Sequence, residues 1–300
     1  MKANIFIYLT LFSFVILAGC KEVDFKKTPG GMPYKIFKGK GGKKISNNNF
    51  IKINVTRTIE DSVLFTTKDK LPTYLFINPT PFPYDISELW TSLEQGDSIY
   101  TVQMIDTFML RNPGSIPPIF KKGERILTYI KILDVFESDS ARMVDEEMEK
   151  KKWAEQETAF MTRYIQEKKI KADKTPGGAY VEIINPGEGN LIDSGNYVFV
   201  KYTGISFSGV KFDSNVDTSF GHTEPLTFMV GSVGPGSMIR GFDECMKFLR
   251  KGSVAKIYIP SLLAYGPNPS SPKIKPLEHI MFEILVLDVK DKAPDPVMPK

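Results

Sequence analysis

Several things are scarce in this chain of 300 residues. Cysteine occurs twice, as Cys20 and Cys245, so a disulfide scaffold is excluded. Histidine also occurs twice, His222 and His279, too far apart in sequence to propose a His-rich metal site, and no metal or other cofactor is expected. No charge of one sign dominates: Lys and Arg total 39 against 35 Asp and Glu, a net charge of +4 spread along the chain, which gives no nucleic-acid footprint. After the N-terminus no apolar run reaches 18 residues. The phosphate-loop, dinucleotide, GxSxG, HExxH and CxxC patterns are all missing; GKGGKK at 39–44 lacks the following Ser or Thr and reads as a solvated turn. Hydrophobic residues at 42% and charged residues at 25% are nonetheless ordinary for a globular chain. The length predicts about two domains.

The N-terminus has its own pattern. Lys2 precedes an apolar run over 5–18, 14 residues, which is too short for a spanning helix and right for a signal-peptide core. The run ends in Leu17-Ala18-Gly19-Cys20, which resembles the bacterial lipobox. That resemblance implies cleavage before Cys20, a lipid on its thiol, and a place in the cell envelope facing an extracytoplasmic space. Lys21, not Asp, follows Cys20, which favours the outer membrane facing the periplasm. The alternative is an ordinary secretory signal. Residues 20–27 are read as a tether.

Self-comparison is the most informative step. Lys27-Thr28-Pro29-Gly30-Gly31 returns as Lys174-Thr175-Pro176-Gly177-Gly178, an offset of 147. Ile36 meets Ile183, Asn49 meets Asn196, Thr56 meets Thr203 and Phe65 meets Phe212 at the same offset. Two copies of one domain are expected, over 28–136 and 174–291, with a tail at 292–300 read as disordered. The stretch 139–171 has neither Gly nor Pro and predicts a long charged helix capped by Ser138 or Ser140, in a linker over 137–173. Two readings of it stand: a solvated spacer, or a helix that packs Trp153, Phe160 and Tyr164 on a domain or a second copy. A homodimer through residues 28–173 is the second form of that reading.

In the second copy, 197–202, 255–259 and 280–289 read as strands. Met238, Ile239, Phe242, Cys245, Met246 and Leu249 share one helical face, with Arg240, Asp243, Glu244 and Lys247 on the other. Gly252 is read as the stop, Cys245 as a small core residue, and Asp243-Glu244 as an exposed acidic pair. An antiparallel sheet around one amphipathic helix is an α+β domain.

Five ordered motifs stand out in this copy: KYTG with Tyr202, GVKFDS with Phe212 and Asp213, LTFMVG with Leu226, MIRGF with Phe242, and AYGP with Tyr265, before a final strand carrying Phe282. In this order they resemble the FKBP-type peptidyl-prolyl cis–trans isomerase family over about 185–290. The resemblance implies two such domains joined by the charged helix. Each would be an antiparallel half-barrel of five or six strands around one helix. It implies proline-containing polypeptides as substrates, entering between sheet and helix. Phe242, standing where the family has Trp, would form the floor; Tyr202, Phe212, Leu226 and Phe282 the walls; Met238, Ile239 and Ile274 the rim. Tyr265 would donate to a substrate carbonyl, and Asp213 would accept from Tyr202. The loops 214–225, 232–237 and 267–276 depart from the family pattern. The first copy has Val55, Thr66 and Thr128 where the second has Tyr202, Asp213 and Phe282, so it reads as degenerate. The expected function is isomerisation that assists the folding of exported proteins. The competing reading is a non-catalytic peptide-binding chaperone or structural envelope lipoprotein.

Overall fold

The computed structural model describes residues 25–60, 62–111, 120–234 and 237–293. The lipobox, Cys20 and nearly all of the tail therefore lie outside the described residues.

The first copy contains β1 (Lys26–Lys27), β2 (Pro33–Phe37), β3 (Phe50–Ile59), β4 (Ser62–Thr66), β5 (Thr73–Phe76), β6 (Ser98–Met104), the short helix α1 (Ile105–Arg111) and β7 (Arg125–Phe136). The long helix α2 (Asp139–Glu167) follows. The second copy contains β8 (Asp173–Lys174), β9 (Tyr180–Asn185), β10 (Tyr197–Ser206), β11 (Lys211–Ser214), β12 (Leu226–Met229), helix α3 (Arg240–Met246), β13 (Val254–Ile259) and β14 (Ile280–Lys290). The sheets run β1-β2-β6-β7-β3-β4, with β5 on β3, and β8-β9-β13-β14-β10-β11, with β12 on β10. This is one topology used twice, as the 147-residue offset requires. The two sheets have seven strands each, counting the two-residue strands, rather than five or six.

The repeated TPGG turn does the same work in both copies. Gly177 N–H donates to Glu244 Oε2 at 2.9 Å and Thr175 Oγ1 to the same oxygen at 2.9 Å. In the first copy Gly30 N–H donates to Glu88 Oε1 at 2.7 Å. A Cβ at Gly177 would fall 2.3 Å from Glu244 Oε2, so any larger residue would push the carboxylate off the turn. Gly31 and Gly178 then turn the chain at φ of 92° and 104°, which glycine alone adopts freely. Glu88 sits in a 3-10 helix, Ile86–Ser92, where the second copy has α3.

By contacts the chain divides into two compact units. One holds the described residues up to Asn48 with Thr56–Phe65 and Ile77–Val135; the other holds Asn49–Val55, Thr66–Phe76 and the described residues from Phe136 onward. The two short stretches of the second unit are gathered by the first half of α2. Lys52 Nζ lies 2.8 Å from Asp145 and 3.0 Å from Glu149, and Tyr74 Oη donates to Asp145 at 2.5 Å.

Ser138 caps α2, its hydroxyl accepting from Ala141 N–H. The solvated-spacer reading fails over the second half of the helix. Met161 and Ile165 are buried against Tyr180 and Tyr258, and the Tyr164 ring lies tilted against Phe207 at 4.8 Å between centroids. An aromatic cluster of this size is costly to leave in water, and the sheet supplies its cover.

α3 differs from the sequence expectation in length and in one face. It begins at Arg240 and ends at Met246, six residues before Gly252. Asp243 is not on a solvated face: it is buried, and its Oδ1 accepts Gly231 N–H at 2.7 Å. Glu244 is engaged by the TPGG turn and by Arg240 at 2.9 Å. The loop before α3, at Gly231, and the TPGG turn cover what would otherwise be its outer face. Cys245 is fully buried, and burial pushes its thiol up, as suits an inert core residue.

Candidate functional site

Alternation along the central strands builds the site. In β10, Val198, Val200, Tyr202, Gly204 and Ser206 face inward; in β14, Ile280, Phe282, Ile284 and Val286 do. Register places Gly204 beside Phe282, and Phe282 beside Ile257 of β13. Gly204, the glycine of KYTG, is required here. A Cβ would meet Phe212 at 2.6 Å and Phe282 at 2.8 Å. Its absence lets two rings from different strands close over β10.

Phe282 is the hub. Its ring lies 5.0 Å from Phe242, 5.5 Å from Phe212 and 5.9 Å from Tyr202, each edge to face. Tyr265 meets Phe212 edge to face at 6.0 Å. Edge-to-face rings hold one another's orientation beyond what area burial alone gives. Tyr202, Phe212, Phe242, Ile274 and Phe282 belong to the buried cluster, and Leu226, Met238, Ile239 and Tyr265 pack against it partly exposed. Asp213 completes the set at its edge: Tyr202 Oη donates to Asp213 Oδ2 at 2.6 Å. All ten residues singled out in the second copy are thus brought into one cluster.

Burial first, then the hydrogen bond to Asp213, hold the Tyr202 phenol well above its usual range. Burial, then the charge of Asp213, raise Tyr265 as well. Both hydroxyls stay protonated donors at neutral pH. The cluster offers an apolar cleft with two phenols and one carboxylate, and no nucleophile poised for attack.

Sequence reasoning missed two residues here. Phe228 lies two positions after Leu226, on the same face of β12, and its ring stands 5.9 Å from Phe242; the strand alternation could have found it. His222 Nε2 sits 2.8 Å from Asp213 Oδ1. It comes from the long loop 214–225, and no local pattern announces where such a loop returns. A depression of 580 Å³ on the opposite face of the sheet, lined among others by Lys201, Lys256, Glu283 and Leu285, holds an exposed ion pair and none of the ten candidate site residues.

Residues 189–287 match the model of the FKBP-type peptidyl-prolyl cis-trans isomerase family. The chain is 34% identical over 113 residues to an FK506-binding protein of Neisseria meningitidis serogroup B, covering 38% of this chain and 97% of that protein. It is 30% identical over 190 residues to the outer membrane protein MIP of Legionella longbeachae, covering 59% of this chain and 77% of that protein. Among solved structures, the crystal structure of FkpA from Escherichia coli is similar at 26% identity and a TM-score of 0.37, over 50% of this chain and 69% of that one. Because the Neisseria relative is matched along nearly its whole length at this identity, the kinship is settled: the chain belongs to the FKBP-type peptidyl-prolyl cis–trans isomerase family.

Proposed function

We propose that the isomerase site of this chain is the aromatic cluster of residues 174–291, and that it acts on X-Pro bonds of polypeptides. The observation that carries this reading is the Tyr202–Asp213 hydrogen bond at the rim of a cleft walled by Phe212, Phe242 and Phe282. Amide rotation has a barrier of about 18–20 kcal/mol because C–N conjugation is lost at the twisted geometry. Uncatalysed exchange takes tens of seconds or more. An apolar cleft strips the water that stabilises the planar, charge-separated amide, and it holds the ring while the preceding carbonyl turns. Catalysis then follows from tighter binding of the twisted amide than of the planar one.

In this proposal Phe242 supports the proline ring from below, and Tyr202, Phe212, Leu226 and Phe282 enclose it. Met238, Ile239 and Ile274 form the rim, with Ile239 offering its backbone N–H. Tyr265 donates its hydroxyl to a substrate carbonyl. Asp213 fixes Tyr202 and sets the negative charge at the edge, with His222 beside it. The test is a proline-peptide isomerisation assay on the full chain. Tyr265→Phe should lower kcat/KM roughly tenfold, the worth of one well-placed hydrogen bond. Asp213→Ala should lower it too. Wild-type rates in both variants would defeat the assignment.

The location is part of the same proposal: a lipid on Cys20, anchorage in the cell envelope and service to exported proteins. The lipobox-like Leu17–Cys20 and the MIP relative's printed name support it. Among the described residues no helix is long and apolar enough to cross a membrane. Pairing of two copies through 28–173 is the remaining element, supported by the exposed Met143, Val144 and Met148 of α2; sedimentation of the full chain reads it.

A further inference from the structure

Glu157 is a buried carboxylate on α2 whose partners lie more than a hundred residues away. Its Oε1 accepts from the Ser261 hydroxyl and from Ser261 N–H at 3.2 Å, and its Oε2 accepts from Leu262 N–H at 3.1 Å. Ser261–Leu263 is a 3-10 turn preceded by Pro260, which caps it with no side chain. The first N–H groups of such a turn have no partner of their own. Glu157 supplies that partner from another helix. Ser261 O then accepts Ala264 N–H at 3.0 Å and Gly266 N–H at 2.9 Å, closing the chain around Tyr265. Leu263 lies against α3 beside Gly241, where a Cβ would stand 3.2 Å from Leu263 Cβ.

The same seam holds His279. Its Nδ1 shares the Ser261 N–H at 3.1 Å, and its ring stacks on Phe160 of α2 at 4.8 Å. The turn that leads into Tyr265 is therefore held from its back by α2 and by His279, the residue before β14, and from its front by α3 and Phe212. Burying a carboxylate is costly unless it is fully bonded, and an apolar side chain of similar size would pack as well or better. A carboxylate here gives direction that packing alone does not.

We propose that Glu157 is a positioning residue of the isomerase: it fixes the 261–265 segment so that Tyr265 presents its hydroxyl to the substrate, which makes the inter-domain helix a working part of the active site. The inference rests on the isomerase reading, with Tyr265 facing substrate.

The test uses the full chain in three variants. Glu157→Gln keeps the shape but presents an NH₂ to one backbone N–H. Met161→Ala, one turn further along α2, weakens helix packing without touching the turn. Tyr265→Phe is combined with Glu157→Gln. Turnover of a proline peptide is read beside amide hydrogen exchange at Ser261 and Leu262. Glu157→Gln should lower kcat roughly 10- to 100-fold with KM little changed, as misplacement of an aligned group does. It should also speed exchange at both amides, while Met161→Ala lowers stability and leaves kcat of the folded protein alone. In the Tyr265→Phe background the Glu157→Gln loss should nearly vanish, because both act through one hydroxyl. Equal losses in both backgrounds, or wild-type kcat with unaccelerated exchange in Glu157→Gln, would overturn the proposal. Equal kcat losses in Glu157→Gln and Met161→Ala would reduce Glu157 to a packing role and overturn it as well. A wild-type chain inactive on every proline peptide sinks the isomerase reading and the positioning role with it, while accelerated exchange in Glu157→Gln would still show the carboxylate holding the turn.

Discussion

Phe242 shows how one position serves both stability and the proposed chemistry. It is almost fully buried, in contact with Phe228 and Phe282. Phe242→Ala should cost about 3–5 kcal/mol through the cavity it leaves. Urea unfolding and turnover must be read on the same sample, and a stable variant with wild-type turnover would remove Phe242 from the site. Asp243 is its neighbour in sequence and its opposite in chemistry. Asp243→Ala leaves Gly231 N–H without its acceptor and should cost about 1–3 kcal/mol in a denaturant titration, with no direct effect on the aromatic cleft. The periodic pattern of 238–249 put Phe242 inside and Asp243 outside. The first placement follows from hydrophobicity alone. The second fails because a carboxylate is drawn inward by a backbone donor from a loop, a partner that no helical wheel contains.

At the scale of elements, α2 was legible as a helix with a serine cap at 138 or 140, because freedom from Gly and Pro and a capping residue are local signals, and the structure selects Ser138. What it docks on was not. Its Phe160 and Glu157 face His279, whose imidazole burial holds below its ordinary pKa, against the opposing pull of Glu157 and Glu278. Phe207, lying edge to face with His279, adds an apolar wall. The sign follows from the depressed value. Between the folded value and the unfolded one near 6.5 the unfolded chain binds more protons, so stability rises with pH across that window. The stabilising share is complete above about pH 6.5 and is lost as pH falls towards the folded value. Denaturant midpoints should therefore fall below about pH 6.5 in the wild type, and His279→Gln should flatten that slope. An unchanged slope in His279→Gln would place the titration elsewhere.

For the molecule as a whole, the doubled sheet topology matches the repeat read from the sequence, yet the two copies have not kept the same side chains. β7 carries the buried Thr128 at the register position where β14 carries Phe282. Turnover of the full chain should therefore follow the second copy, and a chain bearing Tyr265→Phe and Asp213→Ala together should fall at least as far as the weaker single variant. Wild-type turnover in that double variant would assign catalysis to residues 28–136. Cys20→Ser should release the protein from a membrane fraction or leave its signal uncut; normal processing with continued membrane association would defeat the lipid anchor.

By itself the sequence determined the repeat, the α+β architecture, the charged helix and the family of the second copy, because each is written in local order: a recurring TPGG, an alternating strand, five motifs in a set succession. The clustering of the nine candidate residues in the motifs and the final strand follows from that succession once the strands alternate, while Ile274 comes from a loop outside it. Tertiary structure alone decided the rest. It turned Asp243 inward to Gly231, brought His222 to Asp213, set Glu157 on the turn before Tyr265, and joined 49–55 and 66–76 to the unit of α2. The physical reason is common to all four. Each depends on a buried or charged group finding its complement outside its own element, from nine residues away for His222 to more than a hundred for Glu157. Such a complement is selected by desolvation cost and geometry in the folded state, and neither is expressed in the spacing of neighbouring residues.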